Sequence, residues 1–243
     1  NDAAEGLSYD ADGNAVSAAD GLGQTTGYEY DALGRITKQT NPDGTKRSYT
    51  YDANGNVLSV TDGRGNRTTY IYDEMNRLTS VTDPEGGVIS YTYTTGGQLA
   101  AVKNQKGSVT AYSYDGNNNL LSVTDARKNK TVYTYDKLNR PVSITDAEGG
   151  VTSFEYDEIG NLTKIIRPMG GTYISSYDET DHLTALTDAL GDSESYTYDE
   201  NGNCTSVTDR RGNTTNYAYD KNNRLTKITD ALGGATVYEY DAL

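Results

Sequence analysis

Thirty-five acidic side chains, one histidine and one cysteine are the groups that could carry chemistry in this 243-residue chain. Paired carboxylates can divide general-acid and general-base work when their surroundings push their proton affinities apart. Here the acids recur instead of converging. Asp31, Asp52, Asp73, Asp115, Asp136, Asp157, Asp199 and Asp220 each follow a tyrosine, at Tyr30, Tyr51, Tyr72, Tyr114, Tyr135, Tyr156, Tyr198 and Tyr219. A reaction centre is built once from unlike residues, whereas an aspartate heading a turn accepts backbone N–H bonds wherever the turn recurs. Asp10-Ala11-Asp12-Gly13-Asn14 and Asp199-Glu200-Asn201-Gly202-Asn203 space oxygen ligands as a calcium loop begins. A strand-like run follows at once, where such a loop needs a later bidentate carboxylate, so both read as turns. His182, flanked by Asp181 and far from any nucleophile pattern, reads as a solvated turn residue. Cys204 occupies the slot of Leu78, Leu120 and Leu162 and reads as a small apolar group. Gly63-Arg64-Gly65 does not lead a strand into a helix and is not a phosphate loop. The expectation is a chain with no catalytic, cofactor-binding or metal residues, and no enzyme.

Composition narrows the classes further. The hydrophobic fraction is 34%, and only the addition of 26 glycines brings it to the lower edge of the roughly 45–50% of ordinary domains. With 22 Tyr, one Phe and no Trp, a core filled by Leu, Ile and Phe is not expected. Disorder is equally excluded, because disordered chains lack the aromatic and β-branched residues that abound here. The formal charge of −14 argues against a general nucleic-acid partner, which wants a basic surface, and Arg210-Arg211 is hemmed in by acids. One cysteine excludes an internal disulfide framework. No run approaches the ~18 apolar residues of a membrane span.

The elements that position these residues follow from a period of 21. Tyrosine stands at 9, 30, 51, 72, 93, 114, 135, 156, 177, 198, 219 and 240 with no insertion or deletion, and nine more lie two residues earlier in register, from Tyr28 to Tyr238. A fixed period marks a repeat architecture whose units contact their neighbours. Each unit holds two turn signals, as in Asp52-Ala53-Asn54-Gly55-Asn56 and Asp62-Gly63-Arg64-Gly65. Aspartate heads them, and glycine supplies the positive-φ residue, at Gly44, Gly65, Gly86, Gly149 and Gly212 in the second turn. Between the turns, Thr68-Thr69-Tyr70-Ile71-Tyr72 alternates with the period of a strand. In Arg77-Leu78-Thr79-Ser80-Val81-Thr82 the apolar residues are three apart, on opposite faces unless a bulge intervenes. The reading is all-β: tandem 21-residue hairpins in a continuous twisted antiparallel sheet, with a parallel β-solenoid as the alternative. Rungs of tyrosine replace a core, with ring area buried and hydroxyls that can stay wet.

One array over residues 1–243 is expected: a partial unit 1–8, eleven full repeats over 9–239, and a partial unit 240–243, with both ends cut mid-repeat. Its partners would then be adjoining repeats of a longer chain or identical chains.

Tyr-Asp followed by x-x-(Gly/Asn)-(Asn/Arg)-Leu-Thr-Ser-Val-Thr-Asp, as in Tyr72 to Asp83, resembles the RHS or YD repeat. That family includes bacterial polymorphic toxins, shell components of insecticidal toxin complexes and, more distantly, teneurins. The resemblance implies hairpins in a sheet that spirals into a hollow shell, a secreted or cell-surface location, and an enclosed toxin polypeptide as partner. It implies a non-catalytic scaffold that encloses or displays another polypeptide; the alternatives are a module binding surface glycans and a self-assembling filament. The family's Pro-rich core and self-cleavage segment have no counterpart here. Three turns depart from the pattern: Tyr93-Thr94-Thr95-Gly96-Gly97 lacks the aspartate, Lys128 replaces the turn glycine, and Arg167-Pro168-Met169-Gly170-Gly171 lacks an Asp head.

Overall fold

The computed structural model describes residues 6–241; the outermost parts of the two terminal partial units, residues 1–5 and 242–243, lie outside the described residues. The described chain is all-β, 23 strands of three to six residues and no helix. It forms two compact units, one of residues 6–112 with 124–128, the other of residues 113–123 with 129–241.

Within the first unit each strand pairs antiparallel with the next, from Gly6–Tyr9 to the strand that begins at Val109. The second unit repeats the pattern from Lys130–Tyr135 to Ala235–Val237. Antiparallel neighbours joined by tight turns are hairpins, and this pairing excludes the parallel solenoid.

One repeat explains the others. Strand Arg67–Tyr72 pairs with Leu78–Thr82 through Tyr70↔Val81 and Ile71↔Ser80, and the register then slips so that Tyr72 faces Leu78. Leu78 and Thr79 thus oppose one residue, a β-bulge. It settles the three-residue spacing that a regular strand could not accommodate: Leu78 and Val81 lie opposite Tyr72 and Tyr70 and share their face. The same slip recurs at Tyr30, Tyr51, Tyr135, Tyr156, Tyr177, Tyr198 and Tyr219. Between hairpins the ladder is shorter. Leu78–Thr82 meets Val88–Tyr93 only through Ser80↔Ser90, Val81↔Ile89 and Thr82↔Val88, so the carbonyl of Leu78 finds no backbone partner on that side.

The opposite face is hydroxylic. Thr50 Oγ1 and Ser59 Oγ are 2.7 Å apart, Thr134 and Ser143 2.6 Å, Thr197 and Ser206 2.7 Å, and the same cross-strand slot holds Lys38–Glu29 and Lys164–Glu155 ion pairs at 2.6 and 3.0 Å. No hydrophobic side chain among the described residues is buried; the two buried side chains are Ser59 and Ser122. Stability therefore lies in the backbone ladder and in half-covered side chains on both faces, each cross-strand pair contributing about 0.2–1 kcal/mol.

Every turn places its fourth residue at positive φ, which glycine adopts without steric cost. Gly44, Gly65, Gly86, Gly149 and Gly212 have φ of 79°, 87°, 85°, 85° and 82°, and asparagine serves at Asn76 and Asn139. Lys128 is held at φ 73° although a lysine pays about 1–2 kcal/mol there. Lys128→Gly relieves that cost and loses about 0.4–1 kcal/mol to the freer unfolded chain. It is expected to stabilise the protein by about 0.5–1 kcal/mol, read as a melting temperature higher by about 1–4 °C; an unchanged or lower one would refute the strain at this turn.

Candidate functional site

Each Tyr-Asp step sits where a strand hands over to a turn. Tyr30, Tyr51, Tyr72, Tyr114, Tyr135, Tyr156, Tyr198 and Tyr219 are the last residues of their strands. The aspartate that follows is consumed by its own turn. Asp31 Oδ1 accepts the N–H groups of Leu33 at 2.9 Å and Arg35 at 3.0 Å, and Oδ2 accepts Arg35 Nε at 2.7 Å. Asp73 and Asp136 repeat the set with Arg77 and Arg140, Asp220 with Arg224. Asp52, Asp115 and Asp199 hold the side-chain amides of Asn56, Asn119 and Asn203 instead. Asp157 accepts the N–H groups of Gly160 and Asn161. The calcium-like segments follow suit: Asp10 accepts Asp12 N, Asn14 N and Asn14 Nδ2. Among the described residues no three His, Cys, Asp or Glu side chains are arranged to hold a metal ion.

The tyrosine hydroxyl is not left wet. It reaches back fifteen residues into the preceding hairpin and donates to the carbonyl at the bulge, the group the shortened ladder leaves over. Tyr51 bonds Ile36 O at 2.6 Å, Tyr93 bonds Leu78 O at 2.7 Å, Tyr135 bonds Leu120 O at 3.0 Å and Tyr198 bonds Leu183 O at 2.8 Å. Tyr30, Tyr72, Tyr156, Tyr177, Tyr219 and Tyr240 make the same bond.

A second tie crosses the junction from the other side. The residue four after the turn aspartate lays its side chain over the tyrosine sixteen positions on. The guanidinium carbons of Arg35, Arg77, Arg140 and Arg224 lie 4.7, 4.5, 4.5 and 4.6 Å from the ring centres of Tyr51, Tyr93, Tyr156 and Tyr240, within the range of a cation–π contact. Arg35 Nη1 also donates to the Asp52 carbonyl at 2.9 Å. His182 fills this slot once. Its ring stacks on Tyr198 with centroids 4.6 Å apart, and Nδ1 lies 2.9 Å from Thr180 Oγ1 and 3.3 Å from Asp178 Oδ2. The reading of His182 as a solvated turn residue is therefore corrected: it is half-buried between two hairpins. The sequence places His182 in a slot otherwise held by Arg, Asn or Gln; what it left unread is the slot's contact with the next hairpin's tyrosine, for which the sixteen-residue spacing of Arg35–Tyr51, Arg77–Tyr93, Arg140–Tyr156 and His182–Tyr198 was a signal.

Hydrogen bonding fixes the ionisation of these groups. The backbone N–H of Arg35 holds Asp31 below the usual carboxylate range, the Arg77 side chain does so for Asp73, and the Asn56 amide for Asp52. Asp178 is pulled to about 2, first by the His182 backbone N–H and then by the Thr180 hydroxyl. Tyr196 is pushed to about 12 because its hydroxyl donates to Glu194 Oε1 at 2.7 Å.

The departures from the pattern keep the turn. Thr94 Oγ1 replaces the missing carboxylate and accepts the N–H of Gln98 at 3.1 Å. Arg167 N bonds Gly171 O at 2.8 Å with no carboxylate at all, and the freed guanidinium lies 5.1 Å over Tyr173. Cys204 stands at the bulge, and its carbonyl accepts the Tyr219 hydroxyl at 3.0 Å.

A family model described as RHS repeat matches residues 9–46, 51–88, 76–104, 93–130, 114–151, 135–172, 177–215 and 219–243. No curated protein sequence matches the chain. Among solved structures, the Tc holotoxin pore of Photorhabdus luminescens is similar over 89% of this chain and 14% of that one, at 16% identity and a TM-score of 0.60. A crystal structure of TcdB2-TccC3-TEV is similar over 91% and 15%, at 16% identity and a TM-score of 0.50. The chain thus spans about one seventh of the length of these structures, and at this identity the likeness concerns the fold.

Two outcomes are expected from these bonds. Tyr135→Phe strands the Leu120 carbonyl and is expected to cost about 1–3 kcal/mol in chemical denaturation, with Tyr135→Ala costing more; a melting temperature unmoved by either would contradict the anchor. Asp178 ionises at about 2, below the usual carboxylate range, so its contribution is complete above about pH 4 and is lost as the pH falls towards 2. Tyr196 ionises at about 12, above an ordinary phenol, so its contribution is complete below about pH 10 and is lost as the pH climbs towards 12. Thermal melts across both limbs should fall away at each end, and a flat acid limb would contradict the turn assignment.

Proposed function

Since the chain belongs to the RHS repeat family, we propose that it is a non-catalytic wall, a scaffold or shell segment that encloses or displays another polypeptide. The observation that carries this reading is the absence of any buried hydrophobic side chain among the described residues, in units whose successive hairpins are nevertheless bonded to each other. Such a sheet needs no second layer to stand. Both of its faces are free, one for an enclosed polypeptide and one for solvent. The units of residues 9–239 then act as a single array whose partners are adjoining repeats of a longer chain or identical chains. Containment of a toxin and a secreted or cell-surface location belong to this proposal, by analogy with the toxin-complex structures that share the fold.

The commitment of the turn carboxylates to N–H groups, amides and guanidinium groups supports a role without catalysis. No helix among the described residues is long and apolar enough to cross a membrane. Stacking of sugars on the tyrosines is the weaker alternative, because one ring face of Tyr51, Tyr93, Tyr156 and Tyr240 is already covered by a guanidinium.

Electron microscopy of the intact natural protein that carries these repeats tests the proposal. The expected image is a thin wall around a cavity that contains protein density, or a wall with a polypeptide mounted on it. A solid globule with neither would rule out containment and display.

A further inference from the structure

Two turns contain an Asn-Gly step, Asn54-Gly55 and Asn201-Gly202, in the same slot of units 147 = 7 × 21 residues apart. In such a step the side-chain carbonyl of asparagine can be attacked by the next backbone nitrogen, because glycine lacks the Cβ that would obstruct the approach. The two turns are otherwise matched. Asn54 N and Asn201 N each donate at 2.9 Å to the carboxylate heading their turn. Gly55 N and Gly202 N bond the carbonyls of Asp52 and Asp199 at 3.2 and 3.0 Å, and the two glycines have φ of 93° and 80°. Both asparagines are exposed.

They differ in what restrains the amide. Asn54 Nδ2 donates to Asn76 Oδ1 at 2.9 Å. The Asn201 side chain makes no hydrogen bond among the described residues; Asn76 Oδ1 takes Asn56 Nδ2 at 2.7 Å as well as Asn54, whereas the corresponding acceptor, Asn223 Oδ1, takes Asn203 Nδ2 at 2.8 Å and not Asn201.

We infer that Asn201 is a site of spontaneous deamidation, converted faster than Asn54 because its amide is untied. The Gly202 nitrogen attacks the Asn201 side-chain carbonyl carbon and forms a C–N bond. The Asn201 C–Nδ2 bond breaks, and ammonia leaves with the proton lost by Gly202. Water then adds to the cyclic imide and opens either of its C–N bonds, giving aspartate or isoaspartate; nothing is oxidised or reduced. The reacting atoms must approach to about 3–3.5 Å, which requires the side chain to turn from its resting rotamer, and the bond to Asn76 opposes that rotation. A hydrogen bond of ordinary net strength corresponds to a rate lower by roughly two- to tenfold. An isoaspartate lengthens the backbone inside a turn that Asp199 Oδ1 closes by accepting the N–H of Asn203 at 2.9 Å.

The test is incubation of the purified folded chain in mildly alkaline buffer, followed over time by peptide mapping with mass spectrometry. Asn201 is expected to convert roughly two- to tenfold faster than Asn54. Asn76→Gly keeps the positive φ of 60° while deleting the acceptor, and should raise the Asn54 rate to that of Asn201 without moving Asn201. In concentrated urea the two rates should converge. His182 lies against Gly202, where a Cβ would meet its Nε2 at 2.9 Å, and His182→Asn should leave the lead of Asn201 intact. Equal rates in the folded protein, no response of Asn54 to Asn76→Gly, a lead that persists in urea, or a lead abolished by His182→Asn would each overturn the inference.

Discussion

A β-bulge that recurs from repeat to repeat leaves a carbonyl with no backbone partner, and the rest of the structure depends on how that group is satisfied. An unpaired polar backbone group is expensive when water is kept from it. The answer comes from the next hairpin, whose terminal tyrosine brings a hydroxyl to the stranded oxygen. One side chain thereby completes the hydrogen bonding of its neighbour. The bulge in turn lets Leu78 and Val81 share a face with Tyr70 and Tyr72, so the same distortion that creates the vacancy also gathers the apolar residues on one side of the sheet.

The repeat, the all-β class and the two turns per unit were legible in the sequence because each rests on local rules: strand alternation, aspartate at the head of a turn, glycine where φ is positive. The bulge was not, since Arg77-Leu78-Thr79-Ser80-Val81-Thr82 is equally a strand with residues on two faces until its pairing is known. The destination of the hydroxyls was hidden for the same reason. A phenol can be solvated or bonded, and the choice is made by a carbonyl fifteen residues away. His182 was read as solvated although its slot, held elsewhere by Arg, Asn or Gln, was visible, because nothing local says that the slot's side chain lies over a ring sixteen positions on. The slot, and not its immediate neighbours, set its surroundings.

Conventional domains hold their elements together by burying a common apolar centre, which couples distant parts of the chain. Here the couplings are between neighbours, and each is composite: a short ladder, a hydroxyl on a carbonyl, and in some units a cation over a ring. Their partial redundancy explains why departures are tolerated. Thr94 stands in for an aspartate by offering a hydroxyl oxygen to the same N–H, and Arg167 abandons the carboxylate yet keeps both backbone bonds of the turn. A turn carboxylate is therefore an aid to the turn and not its precondition.

The reach of the tyrosine also limits how such a chain can change in length over generations. A hydroxyl that finds its acceptor fifteen positions back does so only if everything between is present in full. Losing or gaining a single residue displaces the phenol from its oxygen and turns every following side chain over to the wrong surface. Duplicating or excising one whole copy preserves the hydroxyl bond at the seam, because the copy behind offers a carbonyl and the copy ahead a phenol at the same spacing. Growth and shrinkage are thus quantised, and a gene of this kind can be lengthened by unequal recombination with no repair at the joint.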